Sequence, residues 1–166
     1  MREYPLRQGD LVGPVMIGGT RTPIVQILHP TCELGKASVD HVQVCVVKSL
    51  SILTKVSERE RVVAGMREKE GRFLVAFAHT FFLPGMLDDD EGMFADFRGL
   101  HLVDRRDVSL ANRQVALTHD CRVHFIRRWL YFRFRILLSL DQVRGLEAER
   151  IRADSEVPGP KPPWAS

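Results

Sequence analysis

The sequence predicts an α+β fold, in which a small, barrel-like antiparallel sheet is covered by a long C-terminal helix. Runs of β-branched residues, broken by glycine and proline, fill much of the chain before residue 104, and such runs are typical of strands. Further along, large apolar residues recur with the three- and four-residue spacing of a helix that buries one face. With 166 residues, the chain is long enough to bury one core without disulfides or a structural metal. We therefore expect a single domain over residues 1–153.

Five segments have the composition of strands, and turn residues separate them. They are residues 10–17, 23–28, 41–47, 73–83 and 93–103. Pro84-Gly85, directly after the fourth segment, is a strong turn signal. The acidic run over residues 88–92 is typical of a solvated loop.

Two helices are predicted, a short one inserted between strands and a long one near the C-terminus. Ser57 and Glu60 have the spacing of a Ser-x-x-Glu capping box, which predicts a helical insertion near residues 57–70. The long helix is predicted over residues 118–140, and Gly145 is expected to separate it from a charged final helix. Its apolar stripe consists of Phe125, Ile126, Trp129, Leu130, Phe132, Ile136 and Leu137. Residues 154–166 are rich in proline and are expected to form a disordered tail.

The beginning of the chain and its cysteines indicate where the protein works. The first residues lack the apolar core of a signal peptide, and no apolar run reaches the roughly 18 residues that span a bilayer. Cys32, Cys45 and Cys121 are an odd set without the spacing of a disulfide framework, so we expect reduced thiols. These observations predict a cytoplasmic protein without a membrane partner.

Arginine is concentrated in one part of the chain, although the net charge of +3 is too small to identify a nucleic-acid-binding protein by itself. The candidates for contact with nucleic-acid phosphates are Arg98, Arg105, Arg106, Arg127 and Arg128. An acidic protein partner is the alternative for the same face. The aromatic residues between these arginines are expected to lie in the core.

Three motifs, in this order, resemble those of the MazF/PemK-like toxins, which are small ribonucleases built on an SH3-like β-barrel. Gly9-Asp10-Leu11-Val12 is similar to the Arg-Gly-Asp-aliphatic start of that family, with Gln8 in place of the arginine. The segment over residues 18–25 resembles its Gly-Gly-x-Arg-Pro loop, with Thr22 between Arg21 and Pro23. The segment over residues 97–108 resembles the part that precedes the last helix of the family. The resemblance touches the front and the rear of the chain and leaves the middle unmatched.

The resemblance implies an RNA-engaging domain, and a metal-independent endoribonuclease of a toxin or defence system if the site is active. In that family the loop arginine and a Ser or Thr after the third strand carry RNA cleavage, so Arg21 and Ser49 are the corresponding residues here, with Lys48 standing before Ser49. Single-stranded RNA is the implied substrate, no cofactor is expected, and a homodimer is implied. The alternative is a non-enzymatic protein- or DNA-binding module that keeps the barrel, and Lys48 favours it.

Cleavage of RNA through attack by the 2′-hydroxyl needs a base, an acid and a cation beside the phosphate. Arg21 suits the cation, because a guanidinium matches two phosphate oxygens. The base and acid are left open among His29, Ser49, Asp96, Arg98 and His101. We take Arg21, Ser49 and His29 as the catalytic candidates.

Two other chemistries match the residue types. A thiol site would use Cys32, next to Glu33, as nucleophile, His79 as base and Asp96 to orient it. The phrase Leu28-His29-Pro30-Thr31-Cys32-Glu33-Leu34 also resembles a Ser-x-Thr-Cys-Asp-aliphatic phrase of uncharacterised bacterial proteins. A zinc site would use His29, Cys32, His41 and Cys45. On a strand, however, His41 and Cys45 would lie about 13 Å apart, so we expect no metal.

Overall fold

A computed structural model describes residues 5–69, 72–75, 77–85 and 89–146 of the chain. Ten strands occur in this part of the protein. They are β1 (Leu11–Val12), β2 (Val15–Ile17), β3 (Thr20–Thr22), β4 (Val25–Ile27), β5 (His41–Ser49), β6 (Met66–Lys69), β7 (Arg72–Val75), β8 (Thr80–Leu83), β9 (Met93–Asp104) and β10 (Arg113–Val115).

Six of these strands form one antiparallel sheet in the order β10-β1-β4-β5-β9-β8, which curves into a half-barrel. Strands β2 and β3 form a separate hairpin, and so do β6 and β7. The longest strands, β5 and β9, pair along nearly their whole length, from His41 opposite Asp104 to Ser49 opposite Met93. The helices are α1 (Thr31–Leu34), α2 (Val56–Ala64), α3 (His119–Phe134) and α4, described over residues 140–146. Within the described ranges, no helix combines the length and apolar character that a membrane span requires.

The helix α3 covers one face of the half-barrel and completes the main core. Phe97 of β9 is buried and contacts three aromatic rings of α3: the ring centroids lie 5.8 Å from Phe125, 5.3 Å from Trp129 and 5.6 Å from Phe132. The first two contacts are edge-to-face, which is a favourable geometry for aromatic pairs. The predicted α+β fold, with a barrel-like antiparallel sheet under a C-terminal helix, is therefore confirmed.

The long helix ends earlier than its apolar stripe predicts. Arg135 adopts a left-handed conformation with φ 57° and closes α3 after Phe134, so Ile136 and Leu137 lie outside the helix and are exposed. A new helix, α4, starts at residue 140. Reciprocal bonds between Ser139 and Gln142 cap its start: the Ser139 Oγ accepts from the Gln142 backbone N at 3.1 Å, and the Gln142 Oε1 accepts from the Ser139 N at 2.8 Å.

Other predicted boundaries also shift. Gly145 lies inside α4 and does not separate two helices. The insertion α2 begins at Val56, one residue before Ser57, so the predicted capping box does not form; Lys55 occupies the cap position without a side-chain bond. The helix stops at Ala64, and the following residues form β6. The predicted tail, residues 154–166, lies outside the described residues.

The strand predicted over residues 10–17 is divided into β1 and β2. A side chain at Gly13 would place its Cβ 2.0 Å from the Pro23 carbonyl oxygen, so the two chain segments approach closely there. The strand predicted over residues 73–83 is likewise divided, because residues 77–79 form a turn in which Phe77 has φ 47°. That turn carries His79.

Candidate functional site

A cleft of about 230 Å³, lined in part by charged side chains, lies between α2 and the β5, β9 and β8 strands. We call it the Asp96 cleft. Its walls are formed by Lys48, Ile52, Leu53, Glu58, Val62, Phe77, His79, Thr80, Phe94, Asp96 and Arg98. Side-chain alternation on β9 creates it: Ala95 and Phe97 belong to the core beneath α3, whereas Phe94 and Asp96 face the side covered by α2.

An irregularity in the sheet places Asp96 at the floor of this cleft. Cys45 lies opposite Leu100 and Val47 lies opposite Ala95, so one residue of β5 faces the longer segment 96–99 of β9. Such a bulge bends the strand and redirects its side chains. On the other side of β9, Asp96 remains in register with Thr80 of β8. The Asp96 carboxylate is consequently buried within the sheet while its oxygens point toward the cleft residues.

The Asp96 carboxylate holds two cations. Its Oδ1 accepts from the backbone N and the Nε of Arg98 at 3.1 and 3.0 Å, and its Oδ2 accepts from the Arg98 Nη2 at 3.0 Å. The Nζ of Lys48 lies 3.4 Å from the same Oδ2. Burial raises the pKa of Asp96, but the hydrogen bonds and charge of Arg98, together with the charge of Lys48, outweigh this effect and lower the pKa below its usual value. Asp96 is therefore ionised at neutral pH.

His79 lies in the turn before β8, next to this charged group. Its backbone oxygen accepts from the Phe97 N at 2.7 Å, and its ring lies 5.2 Å from the Phe77 ring, centroid to centroid. Partial burial lowers the pKa of His79, the charges of Arg98 and Arg128 lower it further, and Asp96 opposes them. The imidazole is therefore neutral at pH 7, which is the form that accepts a proton.

The upper wall of the cleft is apolar. Phe94 packs with Leu50 and Val62, which joins β9 to α2, and Phe77 packs against the same group. The guanidinium of Arg61 lies over the Phe77 ring at 5.7 Å. The cleft thus combines a neutral imidazole, two cations held on one buried carboxylate, a second carboxyl side chain from Glu58, and an aromatic wall. Chemically, this set offers a proton acceptor, positive charge and an apolar surface in one place.

The three catalytic candidates from the sequence lie on three different elements of the fold. Arg21 lies on the exposed hairpin strand β3, opposite Met16. Ser49 ends β5 and caps the turn that follows, where its Oγ accepts from the Ser51 N at 3.2 Å. His29 follows β4, and its Nδ1 lies 3.5 Å from the Gln43 N. None of the three is among the described residues that line the Asp96 cleft.

The arginines proposed for phosphate contact divide into two groups. Arg127 and Arg128 are buried: the Arg127 Nε donates to the Leu138 carbonyl at 2.7 Å, and the Arg128 Nε and Nη2 donate to the Thr80 and Phe77 carbonyls at 3.1 and 2.6 Å. These two side chains therefore connect α3 to its neighbours and do not form an exposed basic face. Arg127 and Arg128 are buried because both side chains lie on the side of α3 that the rest of the protein covers.

The other arginines are closer to the surface. Arg105 donates from Nη2 to the Leu34 carbonyl at 3.1 Å and so ties α1 to the turn after β9. Arg106 is exposed and binds Asp104 through its backbone N, Nε and Nη2 at 2.8, 2.9 and 2.6 Å. This is the same Asp-x-Arg arrangement as in the cleft, formed at the surface. Only Arg98 belongs to both the predicted set and the Asp96 cleft.

Among the described residues, no contact joins Cys32 to His79 or Asp96, the other members of the predicted thiol site. Cys32 is exposed on α1, and Glu33 beside it pairs with Lys36 at 2.6 Å, whereas His79 and Asp96 line the cleft. Cys45 lies in β5 and is buried in the main core, and burial raises the pKa of its thiol, with the nearby charge of Asp96 acting in the same direction. Across the described residues, no group of three or more His, Cys, Asp or Glu side chains could hold a metal ion.

Comparison with protein-family models gives no match to this chain, and comparison with curated proteins gives none either. The resemblance to MazF/PemK-like toxins therefore stays a prediction from the quoted motifs. Sequence reasoning included His79, Asp96 and Arg98 among its candidates in separate hypotheses, but it treated Lys48 only as a departure from the family pattern. Lys48 could have been found from the alternation of side chains on β5, which buries Val47 and turns Lys48 to the opposite face.

Proposed function

We propose that this chain is an RNA-engaging domain that cleaves single-stranded RNA without a metal ion, and that the reaction takes place in the Asp96 cleft. The observation that carries the proposal is the neutral imidazole of His79 beside two cations that one buried carboxylate holds in place. Cleavage by the ribose 2′-hydroxyl needs this combination of a proton acceptor and positive charge at the phosphate. The toxin or defence role and the homodimer belong to the same proposal, and they rest on the resemblance alone.

His79 acts as the base in this mechanism. It takes the proton of the 2′-hydroxyl, and the 2′-oxygen attacks phosphorus while the bond from phosphorus to the 5′-oxygen breaks. The products are a 2′,3′-cyclic phosphate and a 5′-hydroxyl, and the leaving oxygen takes its proton from the ammonium of Lys48. Asp96 holds Lys48 and Arg98 side by side in the cleft, where the proposal places the reacting phosphate.

Arg98 binds the non-bridging oxygens of the phosphate. It holds Asp96 through Nε and Nη2, which leaves Nη1 outside that pair, and its side chain is 63% exposed. The proposal places the nucleobase against the apolar wall of the cleft, to which Phe77 contributes, because contact of a base with an aromatic surface tolerates any base. The proposal therefore assigns phosphate binding to the cations and base binding to that wall.

The experiment that tests the proposal is the cleavage of a mixed-sequence single-stranded RNA by purified protein in the presence of a chelator. We expect the wild type to cut and His79→Asn to lose about 100-fold or more in rate, because a positioned base contributes about that much. Arg98→Gln should also lose activity. Arg144→Gln is the control, since Arg144 is an arginine that pairs with an aspartate at the surface, Asp141, and is not among the residues that line the cleft, and it should cut normally.

Two results would contradict the proposal. If the wild type does not cut any RNA, the enzymatic function is excluded. If His79→Asn cuts as well as the wild type while Arg21→Ala does not, the reaction belongs to the β2–β3 hairpin and not to the Asp96 cleft. A cyclic phosphate at the 3′ end of the product distinguishes attack by the 2′-hydroxyl from attack by water.

The second candidate is a non-enzymatic module that binds a protein or DNA. Leu100 and Leu102 favour it, because both are exposed on β9 and Leu102 is 64% accessible to solvent. A binding module would retain folded stability and partner binding in His79→Asn and would show no cleavage in any variant. Measuring RNA binding and RNA cleavage on the same samples separates the two functions.

A further inference from the structure

One side of β9 is open beyond the end of β8. The strand β8 pairs with β9 only from Met93 to Asp96, whereas β5 pairs with β9 as far as Asp104. Among the described residues, no strand pairs with the outer side of β9 over residues 98–104. We call this stretch the β9 edge. At about 3.3 Å per residue, it is about 20 Å long.

The hydrogen bonds at the end of the strand show which backbone groups of the β9 edge face outward. The Arg105 N, directly after β9, donates to the Asp40 carbonyl directly before β5 at 2.9 Å, so the Arg105 backbone points toward β5. These groups alternate in direction along a strand, so those of His101 also point toward β5. The N–H and C=O groups of Leu100 and Leu102 therefore point away from β5, to the open side.

The same two residues have exposed apolar side chains. Leu100 is 37% exposed and Leu102 is 64% exposed. In the sheet they lie opposite Cys45 and Gln43, on the face that α3 covers farther in. Proteins usually protect an open edge with charged side chains, proline or a covering element, because a bare strand pairs readily with another chain. The two outward positions at the centre of the β9 edge carry leucine.

The neighbouring hairpin does not take the place of a partner strand. Val15 of β2 packs in the same core cluster as Val103, whose side chain lies on the opposite face of β9 from the leucines. In the part of the chain that the structure describes, β2 pairs with β3 and not with β9.

We propose that the β9 edge is the interface of a homodimer, in which the β9 strands of two copies pair antiparallel around a two-fold axis at His101. In this register, Leu100 of each copy faces Leu102 of the other. Arg98 of each copy faces Asp104 of the other. Residues whose backbone groups point outward then face each other, so each donor meets an acceptor, and the leucine pairs alone form about four backbone hydrogen bonds.

The self-complementary pattern of the edge selects a second copy as the occupant and fixes the register. A shift by two residues would place Leu100 opposite Asp104, or Leu102 opposite Arg98, so that an apolar side chain faces a charged one. Arg98 and Asp104 keep their partners within the chain, and the pairing requires only that no like charges face each other. Because both copies use the same edge, the contact is closed and association stops at two copies.

This inference shares the homodimer with the proposed function and specifies its interface, but it does not rest on RNA cleavage. Leu100 and Leu102 are not among the residues that line the Asp96 cleft. His79→Asn should therefore dimerise as the wild type does. Loss of cleavage and loss of dimerisation are thus separate results.

The first test is the mass of the full chain by sedimentation equilibrium over a range of protein concentrations. We expect a dimer of the 18.9 kDa chain. Leu102→Lys should raise the Kd of the dimer about 100-fold, since each copy loses one buried leucine and each loss corresponds to about a factor of ten. Val56→Lys is the matched control, because Val56 is a 69% exposed apolar residue on α2, and its Kd should not change.

The second test determines the register by disulfide formation in a Cys32→Ser background, since Cys32 is exposed. Facing residues of such a pair have Cα atoms about 5.5 Å apart, which a disulfide can bridge. A mixture of Leu100→Cys and Leu102→Cys chains should therefore form a disulfide between the two chains, which peptide mass mapping identifies. Each variant alone should not, because identical positions lie about 8 Å apart.

Three results would overturn the proposal. The first is a wild-type chain that stays monomeric at every concentration, which would leave the edge to an extended segment of another protein. The second is a Leu102→Lys variant that dimerises as tightly as the wild type. The third is a disulfide that forms as readily in the single-variant samples as in the mixture.

Discussion

Replacing Asp96 by asparagine should destabilise the fold through the loss of one buried charge. The Asp96 side chain is 6% exposed, whereas its partners Arg98 and Lys48 are 63% and 41% exposed. Breaking a fully buried pair costs about 3–5 kcal/mol, and an exposed pair contributes about 0–1 kcal/mol. With a buried acceptor and two partly solvated donors, we expect Asp96→Asn to lower the free energy of unfolding by about 2 kcal/mol. For a chain of this size, that corresponds to about 4–8 °C in the melting temperature.

The assay is thermal and urea unfolding of the wild type, Asp96→Asn and Asp104→Asn. Asp104 binds Arg106 with the same three contacts, but Asp104 is 38% exposed and Arg106 is 88% exposed, so this control should melt with the wild type. Because the folded-state pKa of Asp96 is lowered, its stabilisation is present above the unfolded pKa of about 3.9 and is lost as the pH falls through the lower, folded value. The difference between wild type and Asp96→Asn should therefore shrink below about pH 4. Equal melting temperatures for the two variants at pH 7 would refute the role of burial in this argument.

Three further predictions concern the pH dependence, the core and the thiols. The acid limb of the cleavage–pH profile should lie below pH 6.5, because burial and the charge of Arg98 lower the pKa of His79. Arg98→Gln should move that limb to higher pH. An acid limb above pH 6.5 in the wild type would contradict the assignment of His79 as the base. Phe97→Ala should cost about 3–5 kcal/mol in urea unfolding, since its ring fills the space beneath α3, and a loss under about 1 kcal/mol would show that the core collapses around the gap. Alkylation at neutral pH should modify the exposed Cys32 in the folded protein and leave the buried Cys45 untouched until the chain unfolds, which peptide mass mapping would reveal.

The strands and the main helix were predictable because their signals are local. The β-branched run over residues 41–47 forms β5, and the aromatic spacing that includes Phe125 and Trp129 forms α3. The errors are at boundaries. Ile136 and Leu137 continue the helical pattern in the sequence, yet Arg135 turns the chain out of the helix before them. The short strands β3 and β10 were not predicted, because strands of three residues gain their stability from the neighbouring strand and not from their own composition.

The residue types of the site were predictable from the sequence, but which of these residues lie together in one cleft was not. His79, Asp96 and Arg98 appeared among the candidates, but the sequence offered no reason to place them in one cleft. The three residues lie in a turn and a bulge, and the pairing of β8 with β9 decides their proximity. Conversely, Arg127 and Arg128 looked like a basic face. Their burial depends on which side of α3 meets the sheet and the turn at Phe77.

The class of the fold follows from the amino-acid sequence, since the period of its apolar residues specifies strands, a covering helix and one core. The sequence is also rich in arginine, with a motif order that resembles one family of RNA-cleaving proteins. Which charged side chains become neighbours depends on the folded arrangement of the chain. A charged side chain carries no local signal of its partner, because ion pairs such as Lys48 with Asp96 join residues far apart in the chain. The register of the sheet and the bulge opposite Val46 bring them together.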